Sequence, residues 1–273
     1  MKIGKAILLT VLLLVLEAVF HLLSYLIFDT KSNPENLDHI RGATILMGRL
    51  LAYLIIFYFF WKPGSAELFF SSKEISISVI SLILLIIIGS EFLNRPFADL
   101  DRLLNNAPAN FVYEGYSTYK IYGTITALII APVFEELFFR GFLFKKLVRK
   151  NNFLIGLFVS SILFSIIHWE TPLNLIPAFI MGLISAVIFY KTGNIFYSIL
   201  LHFLYNFSNH IYYYNAQLYS VWLNWLDFGI LYWSLFIFGI FITLLALRLI
   251  PITGSQNLLK NEIKLKVNGR NHS

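Results

Sequence analysis

Long runs of apolar residues separated by short polar stretches dominate the pattern along this chain. Each run is long enough to cross about 30 Å of hydrocarbon as a helix, and none has the short alternating pattern of a membrane β-barrel strand. The pattern therefore predicts an all-α, polytopic membrane helix bundle of about eight spans. The predicted spans are 4–28, 42–61, 76–93, 119–147, 153–169, 173–191, 194–211 and 228–250.

Composition supports the bilayer as the solvent of this protein. Of the 273 residues, 58% are hydrophobic and only 13% are charged, which a water-soluble domain of this size would not tolerate. The sequence contains no cysteine, so disulfides, thiolate metal sites and a cysteine nucleophile are excluded. His, Asp, Glu and Ser are left to carry any chemistry.

The positive charge of the chain is explained by membrane orientation. The net charge is +6, but the basic residues lie between the apolar runs, so we expect no nucleic-acid partner. When the loops are assigned alternately to the two sides, most Lys and Arg residues fall on one side. The positive-inside rule then predicts that both termini are cytoplasmic. The richness in Ile, Phe, Lys and Asn is typical of a bacterial membrane protein.

Two carboxylates and a guanidinium lie inside the fourth predicted span, where ionisable groups are expensive and usually functional. Glu136 and Arg140 are four residues apart, so we expect them to form an ion pair along one face of the helix. Glu135 points about 100° away from Glu136 and has no partner on its own helix. This arrangement suits a general base that takes a proton from water and returns it to a leaving amine.

Polar side chains also form stripes on the fifth and seventh predicted spans. Helical spacing places Ser161, Ser165 and His168 on one face, and His202 and Asn206, four residues apart, on another. An imidazole above a carboxamide can stabilise an oxyanion. Counted at about 1.5 Å per residue, the two histidines lie at different depths, so the fifth helix must tilt or begin outside the hydrocarbon for them to meet. We expect the resulting site to open to the cytoplasm.

A metal site is an alternative use of the same residues. Glu135, His168 and His202 could ligate a zinc ion and leave a position open for water. In the metal-free alternative, the carboxylate activates water directly. We favour the metal-free alternative, because Asn206 is a poor zinc ligand and Glu136 is expected to pair with Arg140.

Four motifs in this order resemble the CPBP family of intramembrane proteases, also called the Abi family, which includes prenyl-CAAX endopeptidases and relatives tied to bacteriocin immunity and peptide-signal processing. The match covers roughly residues 119–210. The motifs are Glu135-Glu136-x-x-x-Arg140, Phe164-x-x-x-His168, Phe179-x-x-Gly182 with Thr192-Gly193-Asn194, and His202-x-x-x-Asn206.

The resemblance implies an endopeptidase that acts on a membrane-associated, prenylated or leader peptide among the membrane lipids. It implies that Glu135 activates water, that His168 assists, and that His202 and Asn206 bind the oxyanion. Members of this family are described both as glutamate proteases and as metalloproteases. The sequence predicts four regions: N-terminal membrane helices with an outer loop (1–118), CPBP-like catalytic helices (119–211), the last transmembrane helix (212–250) and a cytoplasmic tail (251–273).

Three structural interpretations and two rival functions complete the predictions. Glu17 and Arg49 lie at the same counted depth, so we expect them to form a structural ion pair. Gly182 is expected to allow close helix approach, and Gly193 to form a tight turn. The rival functions are a proton-coupled transporter, which gains no support from repeat symmetry, and a non-catalytic immunity or scaffold protein.

Overall fold

In the computed structural model, every regular element within the described residues 1–27, 34–60, 75–105, 108–109, 118–169 and 171–253 is helical. The α-helices are α1 (Ile3–Ile27), α2 (Pro34–Phe60), α3 (Ile77–Ala98), α4 (Leu100–Asn105), α5 (Thr118–Ile125), α6 (Ala131–Glu136), α7 (Lys145–Lys150), α8 (Phe153–Ile166), α9 (Leu175–Thr192), α10 (Ile195–Tyr214), α11 (Ala216–Leu226) and α12 (Ile230–Leu249). Two π-helical segments, Thr126–Ile130 and Leu137–Phe144, join α5, α6 and α7, and a 3-10 turn (Pro172–Asn174) precedes α9. The prediction of an all-α bundle is confirmed.

The membrane character of the bundle is also confirmed, but the count of eight spans is not. Among the described residues, five helical stretches are long and apolar enough to cross a membrane. These are Ile3–Leu23, His39–Phe60, Ile77–Ala98, Pro172–Thr192 and Ile230–Leu249. Each of the other predicted spans coincides with helical structure, yet α8 has only 14 residues, too few to cross the hydrocarbon by itself.

Several elements differ in extent from the prediction, and one helix was not predicted. The predicted outer loop 94–118 is partly helical, since α3 continues to Ala98 and α4 follows it. The fifth span ends at Ile166, so His168 lies in the turn after α8 rather than on the helix. The separate helix α11 was not predicted, because its alternation of apolar and polar residues is too short to distinguish from a loop. The predicted tail lies outside the described residues beyond Thr253.

Glycines allow backbone contact between neighbouring helices. A Cβ on Gly239 of α12 would lie 2.6 Å from the carbonyl oxygen of Gly89 on α3. A Cβ on Gly182 of α9 would lie 3.1 Å from Ser161 Cβ on α8, so the expected close approach is confirmed. Gly193 ends α9 with φ 68°, in the left-handed region that glycine adopts without strain. The tight turn predicted there is confirmed too.

The helix that carries the two adjacent glutamates is continuous from Thr118 to Lys150 but irregular. The π-helical segment Thr126–Ile130 precedes α6, and the segment Leu137–Phe144 follows it. Pro132 lies in the first turn of α6 and has no N–H to donate to the preceding turn. π-Helical turns are rare and occur frequently at functional sites. Here they set the rotation of Glu135 and Glu136 relative to the rest of the helix.

Candidate intramembrane active site

Glu136 is the centre of a buried polar network. Its Oε1 atom lies 3.1 Å from Arg140 Nη1 and 3.1 Å from His202 Nδ1. Its Oε2 atom accepts a 2.6 Å hydrogen bond from Ser185 Oγ. The Glu136 and Arg140 side chains are both fully buried. The ion pair expected from their spacing is confirmed, and the carboxylate also ties α6 to α9 and α10.

Arg140 is held from three directions. Its Nη2 atom donates to the carbonyl oxygen of Gly182 at 3.2 Å, and its guanidinium lies 4.2 Å from the centre of the Phe164 ring. A guanidinium over an aromatic face is favourable, especially when both groups are shielded from water. With Glu136 on the third side, Arg140 fixes α8 and α9 against the helix that carries the glutamates.

Glu135 differs from Glu136 in its hydrogen bonding. Glu135 is 2% exposed, and its Oε2 atom has no hydrogen-bond partner within the part of the chain that the structure describes. A buried carboxylate oxygen without a partner is costly unless water or a ligand binds it. Glu135 is therefore the carboxylate in this site with an oxygen available to a substrate or a water molecule.

The two histidines meet around Phe164. The centre of the Phe164 ring lies 5.0 Å from the His168 ring and 5.6 Å from the His202 ring. Glu135 and His202 both contribute to the electrostatic environment of His168. The sequence placed the two histidines at different depths. They meet because α8 is short, and the turn after it brings His168 beside the same Phe164 ring as His202.

Hydrogen-bond partners assign the tautomers of both rings. His168 Nδ1 lies 2.9 Å from the carbonyl oxygen of Phe164. Because a carbonyl oxygen only accepts, Nδ1 carries the hydrogen and Nε2 of the neutral ring presents its lone pair. The ionised Glu136 carboxylate likewise only accepts, so His202 Nδ1–H donates to it. In each histidine, these contacts engage Nδ1, so Nε2 is available to bind water or a substrate.

Asn206 lies one turn beyond His202 on α10. Its Nδ2 atom donates a 2.7 Å hydrogen bond to the carbonyl oxygen of Ala127. Ala127 belongs to the π-helical segment Thr126–Ile130, where the irregular backbone makes such a carbonyl accessible to a side chain. One amide hydrogen of Asn206 is thus committed to holding α10 against this segment, and the carboxamide has a second hydrogen to offer.

A cavity of about 310 Å³ adjoins this site. Its lining includes Ala127, which binds Asn206, together with Ile167 and Trp169 on either side of His168. The lining also includes Glu17 and Arg49, whose Oε1 and Nε atoms are 3.4 Å apart, so the predicted ion pair between α1 and α2 is confirmed. From α1, the cavity is lined by Glu17, Ala18 and His21, in the C-terminal half of that helix.

Glu135, His168 and His202 are the possible zinc ligands that the sequence offers. In the part of the chain that the structure describes, no group of three or more His, Asp or Glu side chains is placed to hold a metal ion. The Glu136 carboxylate is already occupied by Arg140, Ser185 and His202. The residues in this conformation do not fit a zinc site.

One residue of the network is not predicted by the sequence analysis. Ser185 is fully buried and binds Glu136 directly. Its position three residues after Gly182 places it on the same face of α9 as the glycine that contacts α8. That spacing is the signal in the sequence, but small polar residues are common on packed helix faces, so the signal is weak.

The polar network lies within a segment that is similar to known membrane peptidases. Residues 117–208 match the Rce1-like family, described as type II CAAX prenyl endopeptidase Rce1-like. The chain is 32% identical over 82 residues to the "Putative membrane peptidase YdiL" of Bacillus subtilis (strain 168), a match that covers 30% of this chain and 33% of that protein. No solved structure matches the chain. Residues 117–208 thus match the Rce1-like family, and the predicted resemblance to the CPBP proteases is confirmed for this segment.

Proposed function

We propose that this chain is an intramembrane endopeptidase in which Glu135 activates the water molecule that attacks a peptide bond. The observation that carries the proposal is the Oε2 atom of Glu135, which is buried, has no hydrogen-bond partner among the described residues and belongs to a carboxylate near His168. A general base needs a free lone pair within reach of water and a rigid setting. Glu135 has the free oxygen, and the Glu136 network supplies the rigidity.

In the proposed reaction, Glu135 takes a proton from water while the water oxygen bonds to the carbonyl carbon of the substrate. The π electrons of the carbonyl move onto its oxygen, which becomes an oxyanion. The Glu135 carboxyl then gives the proton to the peptide nitrogen as the C–N bond breaks. The products are a carboxylic acid and an amine, and the carboxylate of Glu135 is restored.

The histidines and Asn206 stabilise the charges that develop. Glu136 accepts from His202 Nδ1–H, so it holds the ring in place. The Nε2 edge of that ring, when it carries a hydrogen, can bind the oxyanion. The second amide hydrogen of Asn206 is a further donor. His168 presents the Nε2 lone pair to the attacking water. No step in this scheme uses a metal ion.

The substrate class proposed is a peptide held at the membrane, including lipidated and leader peptides. Two observations support it: the Rce1-like family description concerns prenyl endopeptidases, and the cavity beside His168 combines apolar walls with Glu17 and Arg49. A membrane-anchored peptide would present an extended polar backbone next to apolar groups. The cavity offers surfaces for both.

Membrane peptide profiles of cells that express the wild-type chain, E135Q or E91Q test the proposal. Glu91 is a matched control, since it is also buried but lies on α3 and accepts from Ser208. We expect precursor peptides to accumulate with E135Q, and normal processing with E91Q. Equal processing by E135Q and the wild-type chain would refute the proposed role of Glu135.

A further inference from the structure

Tyr53 of α2 is a buried residue that the proposed chemistry has not used. Its side chain is fully buried, yet its hydroxyl has no hydrogen-bond partner among the described residues. Buried tyrosine hydroxyls usually find a partner, because an unmade hydrogen bond is costly in folding. An unpartnered hydroxyl at such a position is explained if a water molecule or a substrate atom binds it.

The ring of Tyr53 packs against the helix that carries the glutamates. Its centre lies 5.9 Å from the Phe134 ring and 6.1 Å from the Phe138 ring. Phe134 immediately precedes Glu135, and Phe138 lies three residues after it, on the adjacent part of the helix face. These two contacts fix the position of Tyr53 beside Glu135.

Charged groups surround Tyr53. They include Glu135 and the Glu17–Arg49 ion pair that lines the cavity. Tyr53 Oη and Glu135 Oε2 are both buried, and neither has a hydrogen-bond partner among the described residues.

We propose that Tyr53 is a catalytic residue whose hydroxyl donates a hydrogen bond to the oxygen of the attacking water, while that water donates to Glu135 Oε2. One water molecule satisfies both unpartnered atoms, since water accepts and donates at the same time. Tyr53 then fixes the position of the nucleophile and follows its oxygen into the tetrahedral intermediate. This role rests on the proposed function of Glu135.

Tyr53 lies outside residues 117–208, the segment that matches the Rce1-like family. The proposal therefore assigns a role to the N-terminal helices, which otherwise only enclose the site. It also gives a reason for a hydroxyl at this buried position, where a phenylalanine would fill the same apolar space.

The test compares Y53F with Y197F in the purified, membrane-reconstituted protein. Tyr197 is a matched control because its buried hydroxyl accepts a 2.8 Å hydrogen bond from the backbone N–H of Ser76. We expect Y53F to keep or raise the Tm and to lower kcat about tenfold to hundredfold with little change in KM, because only one hydrogen bond to the reacting water is lost. We expect Y197F to lower the Tm and to keep kcat.

E135Q in the same assay separates the two proposals. An inactive E135Q protein together with a fully active Y53F protein would overturn the role of Tyr53 and leave that of Glu135 standing. An active E135Q protein would overturn the proposed function, and the role of Tyr53 with it. A fall in Tm for Y53F as large as that for Y197F would contradict the proposal too, because it would mean that the hydroxyl is bound by the protein.

Discussion

His202 Nδ1 lies 3.1 Å from Glu136 Oε1, so the imidazole on α10 is held by the carboxylate on α6 that also binds Arg140. This contact divides the work between two adjacent glutamates. Glu136 has every oxygen engaged and positions other groups, whereas Glu135 keeps a free oxygen. A buried acid and its neighbour acquire different tasks because their surroundings differ.

The first prediction concerns stability and separates the two glutamates. E136Q leaves the guanidinium of Arg140 buried without its counter-charge, so we expect it to lower the free energy of unfolding by about 3–5 kcal/mol. The Oε2 atom of Glu135 has no hydrogen-bond partner among the described residues. We therefore expect E135Q to change the free energy of unfolding much less. Unfolding of the purified variants in detergent measures both. Equal stability of E136Q and the wild-type protein would contradict the structural role of Glu136.

The second prediction concerns the close contact between α8 and α9. G182A places a Cβ 3.1 Å from Ser161 Cβ and 3.4 Å from Arg140 Nη2, so Ser161 must give by a few tenths of an ångström. We expect a loss of about 1–3 kcal/mol in the free energy of unfolding, typical of overpacking, and a reduced kcat because Arg140 is displaced.

G4A is the control for this contact. Nothing lies within 4 Å of a Cβ at Gly4 on α1, and alanine stabilises a helix by about 0.5–1 kcal/mol relative to glycine. We expect G4A to keep activity and to be as stable as the wild-type protein or slightly more so. Full stability and activity of G182A would show that the contact is looser than the structure indicates.

The third prediction concerns metal removal. The proposed reaction uses Glu135, His168, His202 and Asn206 without a metal ion, so dialysis of the purified protein against a zinc chelator should leave kcat unchanged. Metal content measured before and after dialysis confirms that removal was complete. A loss of activity that added zinc restores would require a metal-based mechanism in place of this one.

Contacts within one helix, or between helices of known direction, were predictable from the sequence. The Glu136–Arg140 pair follows from a spacing of four residues, and the Glu17–Arg49 pair follows from counting depth along two neighbouring helices. Both inferences need only the rise and pitch of an α-helix. For the same reason, the all-α architecture could be read from the apolar runs.

Contacts that depend on helix rotation and on local irregularity were not predictable. The bonds from His202 and Ser185 to Glu136 require α9 and α10 to turn particular faces toward α6. The bond from Asn206 to Ala127 depends on a π-helical segment, which no simple sequence pattern predicts. The place of Tyr53 beside Glu135 depends on how α2 packs against a distant part of the chain.

Cleavage of a substrate peptide in ¹⁸O-labelled water by the purified, membrane-reconstituted protein tests the central claim most directly. A precursor found to accumulate with E135Q supplies the substrate, and mass spectrometry of both products gives the cleavage site and the isotope content. The account predicts one ¹⁸O atom in the new carboxyl group with the wild-type protein, and no cleavage with E135Q. Cleavage by E135Q at the wild-type rate would contradict the assignment of Glu135 as the base.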